Sequence, residues 1–206
     1  MSVAGVSDSC SPEIAIGITA QEFLALELDA YPSENWTKAI DALKTRIEKR
    51  YLNPLKSLYN MNGSDHTFGF IILTAAFALV ETLESFRQGI KNHKNKSTGL
   101  FKDGLLGLKI VDLDVSRELI ESEKTVVYEA GRCALLHSGG TDKITIGITG
   151  DILVKLQDGR YKINRDKFVG WIEQKFNEYI EELKVADRDD MRGKFKTKMA
   201  YICNNA

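Results

Sequence analysis

The sequence predicts a mainly α-helical protein: one helical bundle over residues 1–206, with a small β-hairpin inserted before the C-terminal helices. Apolar residues recur every three or four positions through most of the chain, which is the spacing of amphipathic helices. One stretch, at about 143–163, alternates between apolar and polar residues instead, as a half-buried β-strand does. Hydrophobic residues make up 43% of the chain and charged residues 28%, a composition typical of a soluble globular domain.

The first sixty residues predict a loose start followed by helices with N-terminal caps. Residues 1–18 are small and weakly patterned, so we expect a loose N-terminus. A T-x-x-E capping box that begins at Thr19 predicts a short helix through Leu28. Ser33 caps the next helix, and Pro54 is expected to end or kink it because proline lacks a backbone donor.

The segment from about Thr67 to Ile90 predicts the most hydrophobic helix of the chain, preceded by an Asn62–Ser64 loop. A helix that is apolar nearly all round belongs at the centre of a bundle. Its apolar run, Gly69 to Val80, is too short to span a bilayer, so we expect no membrane association. Glu81 and Glu84 follow that run. Either the helix emerges into solvent there, or Glu81 borders a polar site.

The alternating stretch predicts the β-hairpin at about 143–163. Its first strand covers about 144–148, and Asp158-Gly159 is the turn that leads into its last strand. Asn164 then caps the first of the C-terminal helices, which together cover about 165–203.

The charge balance excludes a protein that attracts nucleic acid with its whole surface. The formal net charge is −1, so any contact with RNA must be local. A basic loop at Lys91–Lys96 is either a solvated turn or a phosphate contact. The last helix is also locally basic, with four cationic residues: Arg192, Lys194, Lys196 and Lys198.

Cysteine and histidine usage argues against metal sites and disulfides. The three cysteines have no C-x-x-C spacing, which indicates neither a disulfide framework nor a zinc site and suits a reducing cytoplasm. Three histidines are too few for a histidine-rich metal cluster. The N-terminus has no basic segment followed by an apolar run, so we expect no signal peptide and a cytoplasmic protein.

The segment Val126–Asp142 holds the candidate site. Ser116 is expected to cap helical residues that lead into it, and glycines after Ser138 end the helix. Arg132 and His137 would lie roughly 140° apart around a regular α-helix and about 7.5 Å apart along it, flanking a groove. A guanidinium that binds phosphate and an imidazole that moves a proton suit RNA cleavage. Alternatively, the two residues only compensate the helix dipole or lie on the surface.

The small residues of this helix predict close packing against a neighbour. They form a stripe with the apolar residues of the same face: Val127, Ala130, Gly131, Ala134, Leu135 and Ser138. We expect this stripe to lie at the interface of a homodimer.

The sequence R-C-A-L-L-H at a helix end, in a helical bundle of this size, resembles the R-x4-6-H motif of the HEPN superfamily. The order E-T-L-E-S-F-R-Q-G, then Y-E-A-G-R-C-A-L-L-H, then a hairpin and Y-K-I-N-R-D-K-F, is similar to uncharacterised bacterial HEPN-like proteins. The resemblance covers roughly Thr67 to Leu183.

The resemblance implies a metal-independent RNA endonuclease without a cofactor, of the kind found in toxin–antitoxin and phage-defence systems. Such enzymes act as dimers, with the two motifs meeting across the interface. The 2′-OH of the RNA would attack the adjacent phosphate, leaving a 2′,3′-cyclic phosphate and a 5′-OH. His137 would be the general base or acid, its copy in the second subunit would take the complementary role, and Arg132 would hold the phosphate.

Five further residues are candidates to support this site: Glu81, Glu84, Tyr128, Cys133 and Ser138. Glu81 would orient Arg132 or His137. Cys133 departs from the family, since catalytic members commonly have Asn, Asp or His after the motif arginine. The resemblance therefore leaves an alternative open: a catalytically silent module that binds a partner protein or nucleotide, or a regulatory or antitoxin-like subunit.

Overall fold

The computed structural model describes residues 11–61, 68–106, 108, 110–111 and 126–206. The predicted Asn62–Ser64 loop and the predicted Ser116 cap lie outside these residues. The described chain is mainly helical, as the sequence predicts. Its α-helices are α1 (Ala20–Leu24), α2 (Glu34–Ile47), α3 (Asn53–Asn60), α4 (Gly69–Gln88), α5 (Ser97–Gly104), α6 (Ala134–Ser138), α7 (Arg165–Leu183) and α8 (Asp189–Asn204).

Helix α4 is the centre of the bundle, as its sequence indicates. Among the described residues it is long and apolar enough to cross a membrane by length and composition, yet 61% of that apolar window is buried inside the protein. The Phe77 ring lies edge-on to Phe101 of α5 and Phe168 of α7, with centroids 5.2 and 5.6 Å away. At the start of α4, Phe70 and Ile71 remain exposed. The helix ends at Gly89 in the left-handed conformation.

Residues 13–19 form two short strands, so the expectation of a loose start through residue 18 is wrong over 13–18. Strands β1 (Glu13–Ala15) and β2 (Ile18–Thr19) form an antiparallel pair. Ile14 is buried in the core, and Arg46 of α2 donates a hydrogen bond to its carbonyl oxygen. The strand is too short to show an alternating pattern of apolar and polar residues, so it cannot be recognised in the sequence.

The helix caps predicted at Thr19 and Ser33 are present. Glu22 N donates to Thr19 Oγ1 at 3.2 Å, and Thr19 N donates to Glu22 Oε2 at 2.7 Å, which completes the capping box. Helix α1 ends earlier than predicted, at Leu24 instead of Leu28. Ser33 Oγ accepts a hydrogen bond from Trp36 N at 3.3 Å at the start of α2.

A π-helical segment, π1 (Glu48–Leu52), carries the chain from α2 into α3. Pro54 falls in the first turn of α3, where a missing backbone donor costs little. The sequence predicts an end or kink at this proline, and the structure has a π-helical segment just before it.

The predicted hairpin is part of a larger sheet. Strands β5 (Leu153–Lys155) and β6 (Tyr161–Asn164) are antiparallel and are joined through the predicted Asp158-Gly159 turn. The first predicted strand, β4 (Ile144–Gly147), pairs parallel with β6 instead of forming a hairpin.

A further strand completes this sheet. Strand β3 (Ile110–Val111), which the sequence does not predict, pairs parallel with β5, and the strand order is β3-β5-β6-β4. Two-residue strands carry no readable periodicity, and their pairing depends on contacts that are distant in sequence.

The two C-terminal helices close the core. Asn164 Oδ1 accepts a hydrogen bond from Lys167 N at 3.1 Å and caps α7. In α8, the ring of Phe195 lies 6.3, 5.9 and 6.4 Å from the rings of Phe23, Trp36 and Phe86. These rings come from α1, α2 and α4, so α8 packs against the elements that precede it in the chain.

The basic residues of α8 do not form one exposed surface. Arg192 and Lys198 are buried, whereas Lys194 and Lys196 are partly exposed. The guanidinium of Arg192 donates hydrogen bonds to the carbonyl oxygens of Leu183, Val185 and Ala186 at the end of α7. The locally basic helix therefore does not present its four cations on one surface, because two of them serve internal contacts.

Candidate functional site

Arg132 forms an ion pair with Glu81 in the interior of the bundle. Its Nε donates to Glu81 Oε1 at 2.7 Å, and the exposed fractions of the two side chains are 22% and 3%. Of the two readings of Glu81, the structure supports the second: α4 does not emerge into solvent there, and Glu81 borders a polar cluster. A carboxylate this deeply buried needs a cationic partner because desolvation of an unpaired charge is costly.

Arg132 lies on a π-helical segment, π2 (Tyr128–Cys133), that continues into α6. The angle of 140° expected between Arg132 and His137 assumes a regular α-helix, so it does not apply here. π-Helical segments occur frequently at functional sites. The π-helical turn is closely packed against the sheet, since a Cβ atom at Gly131 would lie 2.7 Å from Ile144 Cδ1 of β4.

Two residues that the sequence analysis did not select extend the ion pair. His93 Nδ1 lies 3.9 Å from Glu81 Oε2, and His93 Nε2 lies 3.2 Å from Lys198 Nζ. Lys198 Nζ also donates to the carbonyl oxygen of Lys91 at 3.0 Å. The polar cluster therefore comprises Glu81, His93, Arg132 and Lys198, and it joins α4, the loop after it, π2 and α8.

The protein environment shifts the pKa values of the three basic groups in this cluster. Burial lowers the pKa of Arg132, but the hydrogen bond and charge of Glu81 outweigh that effect and raise it. Burial, together with the charges of Lys198 and Arg132, lowers the pKa of His93. Burial lowers the pKa of Lys198 to about 8. The cluster thus keeps Arg132 charged and favours neutral His93.

Tyr128 and Cys133 lie beside Arg132. The Arg132 guanidinium carbon is 5.6 Å from the centroid of the Tyr128 ring, which in turn lies 5.4 Å from the ring of Phe101. Burial is the largest effect on Tyr128 and raises the pKa of its hydroxyl. Cys133 is a half-buried free thiol. These two predicted supporting residues are therefore next to the arginine.

His137 and Ser138 are exposed in the last turn of α6. Gly139 follows with a φ of 62°, the left-handed conformation expected of a helix-ending glycine. The structure does not connect His137 to the polar cluster through any hydrogen bond among the described residues. The imidazole is accessible to a ligand, and no described residue holds it in place through a hydrogen bond.

Glu84 lies in a different place from Glu81. It accepts a hydrogen bond from Gln88 Nε2 at 2.8 Å, and the same nitrogen donates to Asp103 Oδ2 at 2.8 Å. Glu84 and Asp103 line a cleft of about 310 Å³ between α4, α5 and α7. Burial raises the pKa of Glu84. The structure does not bring this predicted supporting residue to Arg132.

The signals for the two missed residues in the sequence are weak. His93 sits within the basic Lys91–Lys96 loop, for which the sequence allows either a solvated turn or a phosphate contact, and Lys198 sits among other lysines. Their contact joins positions 105 residues apart. Local patterns do not encode such pairs.

Among the described residues, no three His, Cys, Asp or Glu side chains come together as a metal-binding group. No protein family model, curated protein or solved structure matches this chain. The chemistry of the site therefore has to be argued from its own residues.

Proposed function

We propose that the protein is a metal-independent RNA endonuclease of HEPN type that acts as a homodimer. The observation that carries this proposal is the Glu81–Arg132 ion pair beside a helix end that exposes His137. The reaction is attack of the RNA 2′-OH on the adjacent phosphorus, which breaks the bond to the 5′-oxygen. The products are a 2′,3′-cyclic phosphate and a free 5′-OH.

Arg132 binds the phosphate in this proposal. Glu81 occupies Nε of the guanidinium, and no described residue forms a hydrogen bond with its two Nη groups. Two parallel N–H donors match two phosphate oxygens. Because Glu81 fixes the guanidinium before substrate arrives, Arg132 stabilises charge on the phosphoryl oxygens with little reorganisation.

His137 transfers the proton. One imidazole removes the 2′-OH proton, and the 5′-oxygen receives a proton from a second acid, which we assign to His137 of a second copy of the chain. Three small residues of the predicted stripe, Ala130, Gly131 and Ala134, are buried, with Gly131 against Phe77 of α4 and Ile144 of β4, so they are not free for this contact. Exposed apolar side chains nearby, Phe70, Ile71 and Leu136, provide a surface on which two copies can pair.

The biological setting we propose is that of a cytoplasmic toxin or phage-defence effector, held in check by an antitoxin or another partner protein. Uncontrolled cleavage of cellular RNA would stop growth. Expression of the active chain should therefore inhibit growth, and expression of a site variant should not.

The experiment compares wild type with Arg132→Ala and His137→Ala on total RNA in EDTA. We expect loss of about 10²–10⁴-fold in cleavage rate for His137→Ala and about 10²–10³-fold for Arg132→Ala. Arg160→Ala is the matched control, since Arg160 is exposed and pairs with Asp158 on the sheet. Wild-type products should carry 2′,3′-cyclic phosphate ends.

Two results would contradict the proposal: a folded wild type that cuts no RNA, or site variants that cut as fast as wild type. Cleavage that disappears in EDTA and returns with magnesium would contradict the metal-independent mechanism. A chain that binds RNA or a partner without cutting would instead be the catalytically silent module.

A further inference from the structure

We propose that His93 and Lys198, together with Arg132, form one anion-binding site around Glu81 that takes a phosphodiester of the RNA backbone. The identity of the ligand as RNA rests on the proposed function. Phosphate binding by these three residues is a separate property and does not require cleavage.

The first support is the number of unused donors in the polar cluster. Among the described residues, the two Nη groups of Arg132 donate to no acceptor. His93 Nε2 accepts from the Lys198 ammonium, which places the imidazole proton on Nδ1. That proton faces Glu81 Oε2 at 3.9 Å, too far for a hydrogen bond. Half-buried donors without acceptors suit a ligand rich in acceptors, such as phosphate.

The second support is the charge of the cluster. Two cations, Arg132 and Lys198, face one carboxylate, Glu81, and no described carboxylate forms an ion pair with Lys198. Excess positive charge in a partly desolvated site is costly, and a bound anion would offset that cost. The charges of Lys198 and Arg132 contribute, after burial, to the lowered pKa of His93, which agrees with this imbalance.

The third support is access. The side chains of Arg132 and His93 are 22% and 30% exposed, so both can reach a ligand from solvent, and the Lys198 ammonium lies 3.2 Å from His93 Nε2. The three residues come from π2, the loop after α4, and α8. A phosphate held by Arg132 and His93 would therefore connect three elements that already meet at Glu81.

The binding experiment uses a labelled RNA oligonucleotide with every 2′-hydroxyl methylated, which retains the phosphate backbone but cannot be cleaved. We expect Lys198→Met and His93→Gln each to weaken binding about tenfold or more, the effect of losing a hydrogen bond to a charged group. Lys198→Met should also reduce the salt slope of log K by about 0.7. Lys194→Met, on the partly exposed side of the same helix, is the control and should bind like wild type.

Inorganic phosphate serves as a competitor and separates a general anion site from one that needs the nucleic acid chain. If millimolar phosphate displaces the oligonucleotide, the cluster is a general anion site. If the oligonucleotide stays bound in phosphate, the cluster needs the nucleic acid chain. Either result places the anion at this cluster when the His93 and Lys198 variants weaken binding. Circular dichroism checks that each variant is folded. If Lys198→Met does not fold, His93→Gln decides, since His93 lies on a partly exposed loop.

The proposal is overturned if folded His93→Gln and Lys198→Met bind as tightly as wild type, or if Lys194→Met weakens binding equally. It is also overturned if wild type binds neither the oligonucleotide nor phosphate. If cleavage depends on Arg132 and His137 but the His93 and Lys198 variants bind normally, the proposed function is still supported and this inference is not. If binding depends on the cluster but no RNA is cleaved, this inference is supported and the proposed function is not.

Discussion

Gly131 lies so close to Phe77 that a Cβ atom at position 131 would stand 2.8 Å from ring carbon Cε2 of Phe77. Real side chains do not approach this closely, so π2 packs against α4 only because residue 131 is glycine. The same packing holds Arg132 next to Glu81. The position of the candidate catalytic arginine therefore depends on the residue that precedes it.

Gly131→Ala is expected to destabilise the protein by about 1–3 kcal/mol, since the added methyl group has to displace Phe77 or Ile144 in a packed core. Urea denaturation measures the change. Gly193→Ala is the control: a Cβ at this helical glycine would have no atom within 4 Å, and alanine should stabilise α8 by roughly 0.5–1 kcal/mol. Equal effects of the two substitutions would contradict close packing at Gly131.

Glu81 and Arg132 are expected to be strongly coupled in a double-mutant cycle with Glu81→Gln and Arg132→Ala. Burial of the carboxylate predicts a coupling energy of about 1–3 kcal/mol in the free energy of unfolding. The Glu34–Lys38 pair gives the comparison because its two side chains are exposed, and we expect a much smaller coupling energy there. A coupling energy for Glu81–Arg132 as small as that of the surface pair would argue against the anchored guanidinium.

The free energy of unfolding is expected to rise between about pH 8 and pH 10. The pKa of Lys198 is lowered to about 8 by burial, whereas an unfolded lysine has a pKa of about 10.4. In that interval the unfolded chain retains a proton that the folded chain has lost, so a higher pH favours folding.

Denaturation of wild type and Lys198→Met at pH 7.5 and pH 9.5 tests this expectation. Wild type should gain stability relative to Lys198→Met at the higher pH. Lys194→Met should not change the pH dependence, because Lys194 is partly exposed and pairs with Asp190. A constant difference between wild type and Lys198→Met at both pH values would exclude the lowered pKa.

Arg192→Lys is expected to destabilise the protein by roughly 2–4 kcal/mol although it preserves the charge. A lysine cannot donate to several carbonyl oxygens in the planar geometry of the guanidinium, nor stack on Tyr31, whose ring centroid lies 3.9 Å from the Arg192 guanidinium carbon. Arg188→Lys, at an exposed position just before α8, should change stability by less than about 0.5 kcal/mol. Thermal or urea denaturation of both variants distinguishes the two cases.

The main helices and their N-terminal caps were predictable because their signals are local. The capping box at Thr19, the Asn164 cap and the central position of α4 each follow from a few neighbouring residues. The sheet was predictable only in part. The β5–β6 hairpin has a local turn signal, but the parallel partner of β4 is chosen by packing over a longer stretch of chain.

Only part of the candidate site was predictable from the sequence. Arg132, His137 and Glu81 carry recognisable residue types in a recognisable order, and the structure places Arg132 on Glu81. Hydrophobic periodicity cannot reveal the extra residue of a π-helical turn, so the orientation of Arg132 could not be calculated. His93 and Lys198 were missed because their partners lie on other elements and only the folded chain brings them together.

The ring cluster at Phe195 has a consequence for synthesis of the protein. Phe23, Trp36 and Phe86 leave the ribosome long before Phe195, so their shared cluster stays open throughout most of translation. The nascent chain exposes apolar surface during this interval, when it is prone to aggregate or to be held by chaperones. A partly made chain that stops before α8 lacks both the packed bundle and Lys198. If the protein is a ribonuclease, its activity therefore begins only when synthesis of that helix is complete.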